Sequence, residues 1–158
     1  MRPHPKRFVP VLIGLLFTLG MASAHAAKAP LSPEKLKKSS SHIVSGKVLE
    51  VVSKVQKSKN ERGVGIHRDR VFTIKVLVKE VSKGGEVKVG DKIEVVAWRP
   101  STRLPRMPGL QGHESIPKKG DIVQFFLEGG DGKAFEPLLP NGILIEKEAD
   151  RKPGKAIR

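Results

Sequence analysis

Between residues 42 and 147 apolar residues recur with a period of two rather than 3.6. Arg70–Val81 shows it most clearly: Phe72, Ile74, Val76 and Val78 share one face, and Thr73, Lys75, Leu77 and Lys79 share the other. Lys92–Trp98 sets Ile93, Val95 and Ala97 against Glu94, Val96 and Trp98. Ile122–Glu128 places Val123, Phe125 and Leu127 together. Ile43–Val55 is rich in β-branched residues but feeds both faces. Gly46 within it predicts a bulge or sharp coil, the device a strand uses when it serves two sheets of a small barrel. Phe135–Leu139 and Ile143–Ile145 complete the set, joined by the turn residues Pro140, Asn141 and Gly142. No segment carries an amphipathic helix pattern, although Ser32 and Pro33 make a good N-cap and N1 pair that would permit a short helix at Pro33–Lys38.

These runs predict an all-β domain of five or six antiparallel strands over residues 42–147. A single flat sheet of this composition would leave an apolar face in water. Closure into a small barrel, OB-like or alternatively SH3-like, covers that face and removes the edges. Two turns carry one local pattern, Lys88-Val89-Gly90-Asp91 before one strand and Lys119-Gly120-Asp121 before another, in which glycine permits positive φ and Asp can cap the turn. Residues 27–41, polar with Pro30, Pro33 and a serine run, read as a flexible linker. Residues 148–158 are charged, lack a core pattern and read as a disordered basic tail.

The start of the chain has a different character. Arg2, Lys6 and Arg7 precede an apolar run from Phe8 to Met21, and Ala24-His25-Ala26 fits a small-residue cleavage pattern. Residues 1–26 therefore read as a secretory signal peptide, with Ala22-Ser23-Ala24 as a competing cleavage site. The run is shorter than the ~18–20 residues a spanning helix needs. The expected location is the periplasm, cell envelope or exterior, with no transmembrane segment after cleavage.

Charge narrows the partner class. Among 158 residues, 30 are Lys or Arg and 16 are Asp or Glu, a net +14. Removing Arg2, Lys6 and Arg7 with the leader takes three from +14 and leaves +11. Such an excess favours nucleic acid, acidic polysaccharide or anionic lipid surfaces, and export makes intracellular nucleic acid an unlikely partner. The chain contains no cysteine, which excludes disulfides, thiolate nucleophiles and cysteine metal sites.

The strand order resembles an OB-fold: a long first strand with an internal glycine, a hairpin, a third strand, a long connection and a closing hairpin. Within Val71–Trp98, the run Glu80-Val81-Ser82-Lys83-Gly84 followed by Val89-Gly90-Asp91 and another strand is similar to that of many small exported barrels. Netrin-like domains related to the tissue inhibitors of metalloproteinases share it in part. The likeness covers roughly residues 42–128. Those inhibitors act through an N-terminal cysteine and disulfides, so their mechanism does not carry over. The blocks Trp98-Arg99-Pro100, Ile116–Asp121 and Leu138–Gly142 also look like those of small exported bacterial proteins, a similarity that implies no activity.

Two basic connections are the candidate binding elements. Arg99–Gly120 carries Arg99, Arg103, Arg106, Lys118 and Lys119 among four prolines, with Glu114 its only acid. It reads as a semi-rigid arm whose guanidinium forks suit carboxylate, sulfate or phosphate. Its bland alternative is a solvated cover with Leu104, Met107, Leu110 and Ile116 as packing pegs. Lys54–Arg70 contains Lys57, Lys59, Arg62, Arg68 and Arg70, with Glu61 and Asp69, beside the mobile Gly63 and Gly65, and its bland alternative is ordinary charged hairpin surface. Together the two would form a positive clamp of Arg62, Arg68, Arg99, Arg103, Arg106, Lys118 and Lys119 around an anionic polymer or acidic protein surface. Trp98 is the one obvious stacking platform, which argues against single-stranded nucleic acid.

No cofactor and no enzymatic activity are expected. Ser101, Ser115, His113 and Glu114 share a connection, but no nucleophile-elbow motif is present. His42, His67 and His113 lack metal-ligand spacing. Two other readings stand beside the clamp: an accessory envelope protein docking on a partner through the 99–120 connection, and a metal carrier using His113 with His42 or His67.

Overall fold

The computed structural model describes residues 29–106, 108, 109, 111–129 and 134–146. The predicted leader (1–26), the tail (148–158), Met107 and Leu110 lie outside the described residues. The elements, in order, are α1 (Pro33–Ser39), β1 (His42–Lys57), β2 (Ile66–Lys83), β3 (Lys92–Leu104), β4 (Ile122–Glu128), β5 (Glu136–Pro137) and β6 (Ile143–Ile145). The all-β expectation holds: one sheet runs β3-β2-β1-β4-β5, and β6 also pairs with β4. The strand pairs along that path, and β4 with β6, are antiparallel. A parallel bridge, Val95 with Phe135, brings the chain just before β5 to the edge of β3. It is made by Val96 N–H to Phe135 O (2.8 Å) and Phe135 N–H to Glu94 O (3.0 Å).

The period-two residues form the core. Val44, Val48, Ile74, Val76, Val78, Val95, Ala97, Val123, Phe125, Leu127 and Phe135 pack into one cluster. Gly46 sits where β1 changes register against β2, between Ser45 and Gly46, while also pairing with Val123 of β4. A Cβ there would lie 2.6 Å from both Leu77 O and Val76 Cγ1, so the close approach of two strands requires glycine.

The two Gly-Asp turns share one geometry. Asp91 Oδ2 accepts from Lys88 N–H (2.8 Å) and Asp121 Oδ2 from Lys118 N–H (2.7 Å). Gly90 and Gly120 both adopt φ +95°. Gly90 N–H bonds Val78 O and Gly120 N–H bonds Val48 O, both at 2.9 Å.

Three expectations need correction. The segment read as a linker carries α1, capped by Ser32 as predicted, and it is docked. Leu36 is 2% exposed and packs with Leu31, Ile43, Phe126 and Leu138. Phe126 lies out of phase with Phe125 and Leu127, and α1 is what covers it. The docking is reinforced where Leu31 N–H and O bond the Asn141 side-chain amide, both at 2.9 Å.

Second, Arg99–Gly120 is not all connection, because β3 continues through Leu104. Proline is tolerated at a sheet edge, β3 is the edge strand, and a register shift between Arg68 and Asp69 falls where Asp69 meets Pro100. Third, Lys54–Arg70 is mostly strand: β1 and β2 pair out to Lys57 and Arg68, leaving only 58–65 as the turn. Of the proposed pegs, Ile116 packs on the core, whereas Leu104 is 53% exposed.

The strands are of unequal length, and this positions the site. β4 pairs with β1 only from His42 to Lys47. Beyond that, β1, β2 and β3 run on together, and from Val52, Thr73 and Val96 outward they form a three-stranded arm ending in the 58–65 turn and Leu104.

Candidate functional site

Cross-strand register gathers basic residues on the arm. Lys57 faces Arg68 and Val55 faces Arg70 across β1–β2. Lys54, Lys57, Lys59, Arg62, Arg68, Arg70 and Arg106 are all exposed. The arm holds two acids, Glu61 and Asp69. Glu61 Oε1 accepts from Gly63 N–H (3.1 Å), and Asp69 is buried. Lys57, Lys59 and Arg62, with Ser58, Glu61, Gly63, Gly65 and His67, line a cavity of about 390 Å³ beside the turn.

Two of the predicted ligand residues are occupied inside the fold. Arg103 donates from Nε to Gln111 Oε1 (2.9 Å), from Nη1 to Arg68 O (2.6 Å) and Thr102 O (3.0 Å), and from Nη2 to Asp69 Oδ1. Its side chain is 8% exposed and that of Asp69 2%. Ser58 Oγ donates to the other Asp69 oxygen (2.6 Å), as does Asn60 Nδ2 (3.3 Å). Arg99 donates from Nε to His113 O (2.8 Å) and from Nη2 to Glu114 O. Both arginines thus tie the 105–117 connection and the 58–65 turn to β3.

Arg62, Arg68 and Arg106 remain on the arm's surface. Lys118 and Lys119 do not join them. Their turn bonds to Val48, roughly 30 Å from the 58–65 turn at ~3.3 Å per strand residue. The predicted clamp therefore divides into an arm and a separate turn. Lys57, Lys59 and Arg70, which the sequence already places in the basic Lys54–Arg70 segment, stand on the arm with them, Lys57 and Arg70 by the β1–β2 register and Lys59 in the turn. Near the Lys118 turn charges are mixed: Lys75 and Glu50 pair at 2.8 Å, and each holds the other's charged form.

The histidines stand on separate elements. His113, 3% exposed, accepts Trp98 N–H at Nδ1 (3.1 Å), so its Nε2 donates to Pro137 O (3.0 Å). Burial lowers its pKa against the opposing pull of its backbone bonds to Pro137 and Trp98. Both ring nitrogens are engaged with backbone, leaving none to activate Ser101 or Ser115. His42 bonds Ser41 Oγ (2.9 Å) and meets the Phe135 ring edge-on at 5.1 Å. His67 Nε2 lies 3.3 Å from Val64 O, and its buried Nδ1 has no partner. Among the described residues no three His, Asp or Glu side chains cluster for a metal. Among them, too, no helix is long and apolar enough to cross a membrane.

No protein-family model, curated protein or solved structure matches the chain.

Proposed function

We propose that the protein is an exported, non-enzymatic binding module that engages an anionic polymer or acidic surface at the cell envelope through the β1–β2–β3 arm. One observation carries this reading: seven exposed cations, Lys54, Lys57, Lys59, Arg62, Arg68, Arg70 and Arg106, share the arm with a single unburied acid, Glu61. Clustered charge of one sign attracts polyanions and raises their encounter rate. Arg62, Arg68 and Arg106 are the forks for carboxylate, sulfate or phosphate oxygens, and Arg99 and Arg103 hold the arm's shape. We read the Val95–Phe135 bridge as closing an OB-like barrel in the cyclic order β1-β2-β3-β5-β4, a scaffold from which the arm projects.

The docking alternative is weakened by Ile116 and Pro117, which face inward. The metal-carrier alternative is weakened by the separation of the histidines. The deciding experiment is salt-gradient elution of residues 27–158, which contain every described element, from a heparin column. High-salt elution that drops on Lys57→Ala/Arg62→Ala/Arg68→Ala supports the arm. Elution at or below ~0.15 M salt, where the Debye length is still ~8 Å, refutes it.

A further inference from the structure

The arm is not only basic. Of the seven large hydrophobic residues exposed among the described residues, five lie on it: Val52, Val55, Val64, Ile66 and Leu104. Three of these meet at its end. Ile66 and Leu104 face each other across the β2–β3 ladder. Val64, 96% exposed, stands between Gly63 and Gly65. Gly65 holds φ +129°, and a Cβ on it would meet Leu104 O at 1.8 Å, so the turn seats against β3 and Val64 extends beyond it. Around this apolar end stand Lys57, Lys59, Arg62, Arg68 and Arg106, all exposed. The cavity of about 390 Å³ lined by Lys57, Lys59 and Arg62 opens beside it.

A soluble polyanion calls for the cations but gains little from exposed Val64, Ile66 and Leu104. An anionic bilayer uses both. Cations are drawn to the negative headgroup layer, and apolar side chains enter the boundary with the acyl chains. We propose that the arm's end docks on an anionic lipid surface, with Val64, Ile66 and Leu104 inserted and a lipid phosphate in the cavity lined by Lys57, Lys59 and Arg62. This rests on the polyanion reading and names its partner.

The test uses residues 27–158, because an apolar leader would itself enter lipid. Binding is measured to vesicles of roughly 30 mol% phosphatidylglycerol in phosphatidylcholine, and to phosphatidylcholine alone, at ~0.15 M salt. The expected result is partition to the anionic vesicles only. Val64→Ser/Ile66→Ser/Leu104→Ser should weaken it about tenfold or more, with heparin retention unchanged. Val64→Trp, at a position too exposed to disturb folding, should give a fluorescence blue-shift on the anionic vesicles. Undiminished vesicle binding by the triple variant, or no blue-shift, overturns insertion. Heparin retention without vesicle binding overturns the lipid partner and leaves the polymer reading standing. Loss of both removes both.

Discussion

Asp69 on β2 and Arg103 on β3 form an ion pair across the sheet that is buried on both sides, at 2% and 8% side-chain exposure. It sits where the β2–β3 register shifts, and the remaining Asp69 oxygen accepts from Ser58 and Asn60 in the adjoining turn. One carboxylate thereby fixes the end of β3, the turn and the path into the following connection. Removing one partner strands a buried charge. Arg103→Met should therefore cost about 3–5 kcal/mol in urea unfolding, while Arg62→Ala should cost less than about 0.5 kcal/mol. Equal stability of the two variants would place Arg103 back among free surface cations.

His113 makes stability fall in acid. Burial lowers its folded-state pKa, so the unfolded chain takes up the proton first as pH drops. The stabilisation is present above the unfolded value of about 6.5 and is lost below it, by up to ~1.4 kcal/mol per pH unit until the folded group also titrates. Thermal unfolding from about pH 7.5 downward should show this extra acid slope. His113→Gln should reduce it, since the other titrating groups are common to both proteins. Parallel pH profiles would contradict the assignment.

The matched turns at Asp91 and Asp121 should respond alike. Each carboxylate accepts one backbone N–H at an exposed turn, and each alanine substitution should cost about 1 kcal/mol. The two turns attach to different strands, at Val78 and Val48, so the double variant should be additive within about 0.5 kcal/mol in denaturant titrations. A several-fold larger loss at one turn would show that the likeness is geometric only.

Charge removal should discriminate between the two regions that the sequence joined. Lys57→Ala/Arg62→Ala/Arg68→Ala should shift heparin elution strongly to lower salt. Lys118→Ala/Lys119→Ala, from a turn with mixed charges, should shift it by less than half as much. A larger shift from the second pair would move the binding surface off the arm.

Much of the fold was legible because side-chain alternation along a strand is local. Phe72, Ile74, Val76 and Val78 declared their face, Gly46 its bulge, and the two Gly-Asp runs their turns. The extent of β3 was hidden because Pro100 reads as a strand breaker. Whether proline is tolerated depends on its being at an edge beside a register shift, which belongs to the partner strand. The docking of α1 was hidden for a similar reason. Phe126 out of phase looks like an exposed residue until Leu36 and Leu31, far away in the chain, arrive to cover it.

The binding residues divide along the same line. Composition and charge determined that this is a basic, cysteine-free, β-rich chain, and strand periodicity determined where most strands lie, because both depend only on residue type and near neighbours. Tertiary structure decided which cations remain available. Arg103 and Arg106 look alike in sequence, yet one spends its guanidinium on Asp69, 34 positions away, and the other stays in solvent. Likewise Lys57 and Arg68 became neighbours through the β1–β2 register, while Lys118 and Lys119 were carried to another part of the sheet. Electrostatic availability is set by distances across strands, and those exist only once the chain has folded.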